Sequence, residues 1–222
     1  MQFPATAPID VVLDVPAGHI RFIAADRADA TVEVLPANAS KGRDVKAAGQ
    51  VAVAYADGVL RIEAAQPKSK ILGSSGSVEV TVQLPAGSRV EAKTAAADLR
   101  GVGRLGDVTF ESAQGTVKLD ETAAVRLTLQ AGDITVGRLG GAAQISTSKG
   151  DIKIAEAMGG AVVLRTEAGD LEVGAARGVS ATLDAGTSYG RISNTLRNSE
   201  GAKAGLNIQA TTAYGDITAR SL

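Results

Sequence analysis

From Ala97 onward, apolar residues alternate with polar ones in short runs, and each run breaks at a small residue followed by a polar one. Seven such corners line up: Ala97-Asp98-Leu99, Gly115-Thr116-Val117, Gly132-Asp133-Ile134, Gly150-Asp151-Ile152, Gly169-Asp170-Leu171, Gly190-Arg191-Ile192 and Gly215-Asp216-Ile217. Their successive spacings are 18, 17, 18, 19, 21 and 25 residues. After the corner, Leu119, Val136, Ile154 and Val173 continue one face at a period of two. Before it, Phe110, Leu127, Ile145 and Leu164 lie five residues from their glycine, and Leu183 and Ile208 lie seven from theirs. Two residues further upstream sit Val108, Val125, Ala143, Val162, Ala181 and Leu206. Each repeat therefore predicts strand, corner, strand, corner.

A repeat of this length cannot fold alone. It offers roughly four core side chains, each contributing about 1.5–3 kcal/mol on burial. Ordering its backbone costs roughly 1–2 kcal/mol per residue. Rungs must stack to share apolar contacts and ladder hydrogen bonds. The expectation is an all-β parallel β-solenoid, with Ile134, Ile152 and Leu171 in one interior column.

The first 90 residues are less regular. Val11, Leu13 and Val15 alternate up to Pro16-Ala17-Gly18, then Ile20 and Phe22 resume, and Val32 and Val34 follow. Val51-Ala52-Val53-Ala54-Tyr55 meets Val59-Leu60-Arg61-Ile62 across Asp57-Gly58, a hairpin signal. Residues 66–77 read as a polar loop, and Val78 to Leu84 as another alternating strand. The ending Leu84-Pro85-Ala86-Gly87 echoes Val15-Pro16-Ala17-Gly18. Residues 1–90 are expected to form a strand-rich N-terminal cap continuous with the solenoid, and residues 91–222 the solenoid itself. A cap is needed because a bare rung exposes unpaired backbone groups.

Composition narrows the chemistry. Aromatics make up only 3% of the 222 residues, so aliphatic side chains must build the core. The 26 glycines against 6 prolines fit a turn-dense β protein. With 23 basic and 24 acidic residues, the charge balance favours neither nucleic acid nor an anionic membrane. The chain has no cysteine, which excludes disulfides, thiolate metal sites and thiol nucleophiles. No apolar run has signal-peptide or transmembrane character, so the sequence reads as cytoplasmic and without direct membrane insertion. A chain trimmed of a leader or anchor would read the same way.

No catalytic, cofactor-binding or metal-binding residues are assigned. Asp133, Asp151 and Asp170 should sit on successive rungs, where repulsion must be relieved by solvent, backbone amides or a cation. A calcium ladder is one reading. An Asx-turn at each corner is the favoured one, because the nine-residue calcium repeat is absent and Arg191 interrupts the column before Asp216. Thr94, Ser112, Thr147, Thr166, Thr187 and Thr212 recur three residues before their corners and read as a structural ladder. His19 is the only histidine, which disfavours a Ser–His hydrolase, and it reads as a partly exposed strand residue. A polysaccharide-acting enzyme would need a carboxylate cleft with aromatic flanks. Lys68 and Lys70 beside Gly73-Ser74-Ser75-Gly76 lack a phosphate-loop context. Outward positions such as Lys118, Lys153, Arg165 and Glu172 mix signs and read as a solvated face. Tyr189 and Tyr214 both precede a corner glycine and should stack near the C-terminal end. With Arg197 and Asn198 from the polar insertion at 194–204, they form the candidate interaction patch.

The Leu84-Pro85-Ala86-Gly87 run, the Thr-x-x-Gly-Asp-Ile/Leu corners and the 17–25-residue spacing resemble the bacterial β-strand-repeat domain of unknown function called toastrack, a "putative adhesin" family. The resemblance is best from Val78 to Ala219. It implies a β-solenoid and an association with the cell envelope and its stress responses. Many members carry a membrane anchor, which this sequence lacks, and the family supplies no catalytic residues. The expected function is a non-catalytic scaffold or binding module that presents a long face or its C-terminal loops to a protein or glycan partner. The alternatives are a protein that self-assembles by end-to-end stacking and a polysaccharide-acting β-helix enzyme.

Overall fold

A computed structural model describes residues 1–65 and 76–222. Most of the loop expected at 66–77, with Lys68 and Lys70, lies outside the described residues. From the N terminus run β1 (Gln2–Pro4), β2 (Asp10–Asp14), β3 (Ala17–Ala25), β4 (Asp29–Pro36), helix α1 (Gly42–Ala48), β5 (Val51–Ala56), β6 (Val59–Ala64), β7 (Val78–Pro85) and β8 (Arg89–Lys93). The long strands β9 (Ala96–Gln114) and β10 (Val117–Ala131) follow. Next come β11 (Ile134–Leu139), β12 (Ala143–Ser146), β13 (Ile152–Ala157), β14 (Gly160–Arg165) and β15 (Leu171–Ala175). The chain closes with β16 (Ala181–Tyr189), β17 (Ile192–Thr195), β18 (Leu206–Tyr214) and β19 (Ile217–Ser221).

The repeats wind into a two-faced parallel stack. On face A, β6, β2, β8, the second half of β9, the second half of β10, β12, β14, β18 and β16 pair in that spatial order. On face B the order is β7, β3, the first half of β9, the first half of β10, β11, β13, β15, β19 and β17. Ile134, Ile152, Leu171 and Ile217 stand opposite one another in register, each no more than 1% exposed. The interior column expected from the repeat is present.

Rung order departs from chain order at both ends. The last rung made, β18 and β19, is inserted between β14/β15 and β16/β17. The terminal rung is therefore β16/β17, and the C-terminal strand is one rung inside it. The two longest spacings reflect this exchange. Residues 176–180 carry the chain past a rung position, and 196–205 carry it back. At the other end the first rung, β2 and β3, lies between β6/β7 and β8/β9. Residues from Asp10 on thus form rungs of the same parallel stack. Covering of the end rung, β6/β7, is left to antiparallel β4 on β7, β5 on β6, and β1 on β4. Helix α1, which the strand pattern did not reveal, packs on β4 and β7. The Phe3 and Tyr55 rings, 5.4 Å apart, close the core between β1 and β5.

One interior column also shifts. Leu183 and Ile208 align with Val162 rather than Leu164, whose column continues as Ala210 and Ala185. The rule of five residues before the glycine holds throughout, and the last two rungs simply place alanine there.

The corner glycines set how closely rungs stack. Gly132 has φ +138, and a Cβ on it would lie 1.8 Å from the Gly115 carbonyl oxygen. Gly150 repeats this against Gly132, Gly215 against Gly169, and Gly190 against Gly215. At Gly132, Gly150 and Gly215 both the backbone conformation and the neighbouring carbonyl exclude a side chain, and at Gly190 the carbonyl does so alone. Gly150→Ala is expected to lower stability by more than about 3 kcal/mol. Gly205→Ala, where no atom lies within 4 Å of the added carbon, should stay near wild type. Denaturant melts of the two variants check this.

Candidate functional site

The corner polar column runs His19, Asp98, Thr116, Asp133, Asp151, Asp170, Asp216, Arg191 in space. The carboxylates do not cap their own corners as Asx-turns would. Each Oδ1 accepts the backbone N–H of the next rung: Thr116 onto Asp98 at 2.8 Å, Asp151 onto Asp133 at 2.9 Å, Asp170 onto Asp151 at 2.8 Å and Asp216 onto Asp170 at 2.7 Å. Arg191 ends the column instead of interrupting it. Its N–H donates to Asp216 Oδ1 at 2.8 Å and its guanidinium to Oδ2 at 2.9 Å. At the other end His19 Nδ1 lies 3.2 Å from Asp98 Oδ2, with the imidazole 67% exposed. Backbone amides supply the partner that each carboxylate needs.

Two of these carboxyls sit below the usual range. Burial acts to raise Asp98, but the Thr116 N–H and hydroxyl and the neighbouring His19 outweigh it. Asp216 is lowered by the hydrogen bonds from the Arg191 backbone and side chain. The Thr/Ser column is also structural. Thr166, Thr187 and Thr212 hydroxyls donate to the carbonyls of Gly150, Gly215 and Gly169, and Thr94 donates to Ser112.

The Tyr189 and Tyr214 rings stack with centroids 5.0 Å apart and planes 4° from parallel. Both are largely exposed. Arg197 and Asn198 lie elsewhere. The Arg197 carbonyl accepts the Ala181 N–H at the start of β16, roughly 25 Å along the strand from Tyr189. Asn198 Oδ1 accepts the N–H groups of Glu200 and Gly201, holding the turn it belongs to. The structure therefore brings the tyrosines together and leaves Arg197 and Asn198 at the opposite edge of the terminal rung.

The outward side of face A holds a feature the sequence reading missed. Toward β8 it carries ion pairs, Arg89–Asp107 and Lys93–Glu111. Beyond them, a trough of about 680 Å³ is lined by Ala124, Ala142, Gln144, Ser146 and Gln209, with Asp107 at its β8 end and Arg126 and Arg165 over it. In register, Arg126 stands beside Thr109 and Gln144, and Arg165 beside Ser146 and Thr211. Among the described residues neither guanidinium has an acid partner. The two lie two rungs and two residues apart, about 12 Å between Cα atoms. Face B contrasts with this, since Lys153 and Arg220 both pair with Glu172, and Arg138 pairs with Glu156. On the rungs between Glu111 and Asp184 of β16, the residues in register with the two arginines are Thr109, Gln144, Ser146 and Thr211.

Residues 10–221 match the Toastrack DUF4097 family. The chain belongs to that family. This Toastrack chain is similar over its whole length to a crystal structure described as a "putative adhesin" from Bacteroides fragilis, with 16% identity, 95% of that chain covered and a TM-score of 0.60. That likeness shows the fold. Two structures from Parabacteroides distasonis, described as a "putative adhesin" and a "putative lipid binding protein", align at 15% and 12% identity with TM-scores of 0.46 and 0.47. They cover 100% and 99% of this chain and 95% of each of theirs. No curated protein matches the Toastrack chain. Among the described residues, no helix is long and apolar enough to cross a membrane.

Asp151→Ala strands the Asp170 amide and should cost about 1–2 kcal/mol, whereas Asp151→Asn keeps an acceptor and should cost less than half of that. Added calcium should leave the melting temperature unchanged, and a rise would restore the cation reading. Because Asp98 and Asp216 are lowered on folding, their stabilisation is complete above the unfolded carboxylate pKa near 4 and is lost as pH falls through the folded values. Melting temperature should therefore fall below about pH 4, less steeply in Asp216→Asn.

Proposed function

We propose that this Toastrack chain is a non-catalytic binding scaffold that presents the trough on face A to an extended anionic glycan. The observation that carries the reading is the pair Arg126 and Arg165, exposed over a floor of small and amide side chains, with no acid directly in register with either and the one lining acid, Asp107, already paired with Arg89. A guanidinium without an internal partner is free to make charge-assisted hydrogen bonds to a carboxylate or sulfate group. The amides of Gln144 and Gln209 add donors and acceptors suited to hydroxyl groups. No aromatic ring lines the trough, so recognition rests on charge and hydrogen bonds rather than stacking. Engaging both arginines requires two acidic groups along one chain, which favours a polymer over a small molecule.

The chemistry elsewhere supports a binding role. His19 is held against Asp98 on an exposed corner, and the acids of the corner column accept backbone amides. Neither arrangement sets a general acid and base about a scissile bond. The adhesin description of the Bacteroides fragilis structure points the same way.

The test is binding to uronate-containing and neutral polysaccharides by calorimetry. Acidic chains should bind, and affinity should weaken as salt rises. Arg126→Ala with Arg165→Ala should lose about tenfold or more, while Arg138→Ala on face B should change nothing. Equal binding of neutral and acidic chains, or an unaffected double variant, would overturn the proposal.

A further inference from the structure

The two ends of the solenoid are finished differently. At one end β4, β5, β1 and α1 cover the β6/β7 rung. At the other, β16 pairs only with β18 and β17 only with β19 among the described residues, so both strands present an edge with no strand beyond it, covered at the first position of β16 by the Arg197 carbonyl on the Ala181 N–H and open beyond that. The interior is open there as well. Ile192 occupies the column of Ile134, Ile152, Leu171 and Ile217, yet it is 47% exposed. Leu183 and Ala185 point into the core and are only partly buried. Burying Ile192 and its neighbours would be favourable at about 25 cal/mol per Å². Natural edges are usually guarded by lysine, proline or a bulge. β16 carries one charged residue, Asp184, and β17 carries none.

We propose that this open end is a two-fold interface with a second copy of the chain. A two-fold axis passing through both faces, perpendicular to the stack, reverses strand direction. It sets β16 antiparallel to β16 of the second copy and β17 antiparallel to its β17. One operation thus continues both faces at once and joins the two open interiors, with Leu183 and Ile192 of each copy meeting across the axis. Antiparallel addition suits these faces, since the far end already uses it for β4 on β7 and β5 on β6. Head-to-tail stacking is disfavoured. The far end has its core closed by Phe3 and Tyr55, and its face B edge is a three-residue strand ending in Pro4, which lacks an N–H.

Size fits a modest dimer. Nine residues of β16 extend about 30 Å, and two faces about 10 Å apart with their side chains span about 20 Å. The footprint is then roughly 600 Å² per copy, or roughly 1,200 Å² in total, at the lower end for a specific interface. If the glycan reading also holds, the two troughs would lie on one continuous face with their nearest strands, β18 of each copy, three spacings or about 15 Å apart, giving bivalent capture. The dimer does not depend on that reading and is tested without glycan.

Sedimentation and light scattering of the full chain, from about 1 to 200 µM, decide the matter. The mass should rise from 22.4 kDa toward twice that value and stop there. Ile192→Lys places like charges at the axis and should weaken dimerisation at least tenfold while leaving the monomer's melting temperature close to wild type. Asn194→Lys, on the same exposed strand, should do likewise and serves if Ile192→Lys fails to fold. A wild-type chain that stays monomeric throughout, one that grows past the dimer, or folded lysine variants that dimerise normally would each overturn the proposal.

Discussion

The structure rests on how closely successive corners approach. Every rung from Gly115 on turns at a glycine whose α-carbon packs against the carbonyl of a neighbouring rung, so close that a methyl group would overlap that oxygen. That contact fixes the rise between rungs and lets the Asp carboxylate of one rung reach the amide of the next. The aliphatic columns supply the driving force, but many registers would bury aliphatic side chains. The corner admits one register, because a shift by one residue would put a side chain against the carbonyl and turn the apolar positions outward. Glycine and aspartate therefore specify what Val, Ile and Leu stabilise.

The same ladder explains how rows of like charge are tolerated. Carboxylates on successive rungs stand about 5 Å apart, yet each has one oxygen occupied by an amide. Where the ladder stops, the sequence changes type. Arg191 closes it on the terminal rung by pairing with Asp216, and His19 meets Asp98 at the other end.

Much of the fold was legible because its determinants are local and periodic. The Gly-Asp-Ile corners and the two-residue alternation name the interior columns residue by residue, and Ile134, Ile152 and Leu171 lie where the repeat puts them. Rung order was not legible. A repeat reports that units stack but not which neighbour each chooses, and both linkers, 176–180 and 196–205, are long enough to cross one rung. Helix α1 was hidden because its exposed Val45 gives no apolar stripe against which to read a period. For the site, the tyrosine stack could be read from two matching Tyr-Gly corners. The Arg126 and Arg165 trough could not be read along the chain, since its character lies in what stands beside each arginine across rungs: threonine, glutamine and serine in place of acids.

The rung containing β19 lies between those of β15 and β17. The absence of native cysteine makes disulfide trapping decisive. Glu172→Cys with Thr218→Cys joins positions opposite one another on adjacent strands, within disulfide reach, whereas Glu172→Cys with Ser193→Cys spans two strand spacings, about 10 Å. Under mild oxidation the first pair should form an intrachain disulfide in the folded protein and the second should stay reduced. Trapping of the Glu172–Ser193 pair in preference would show that the rungs follow chain order, and would contradict the stack described.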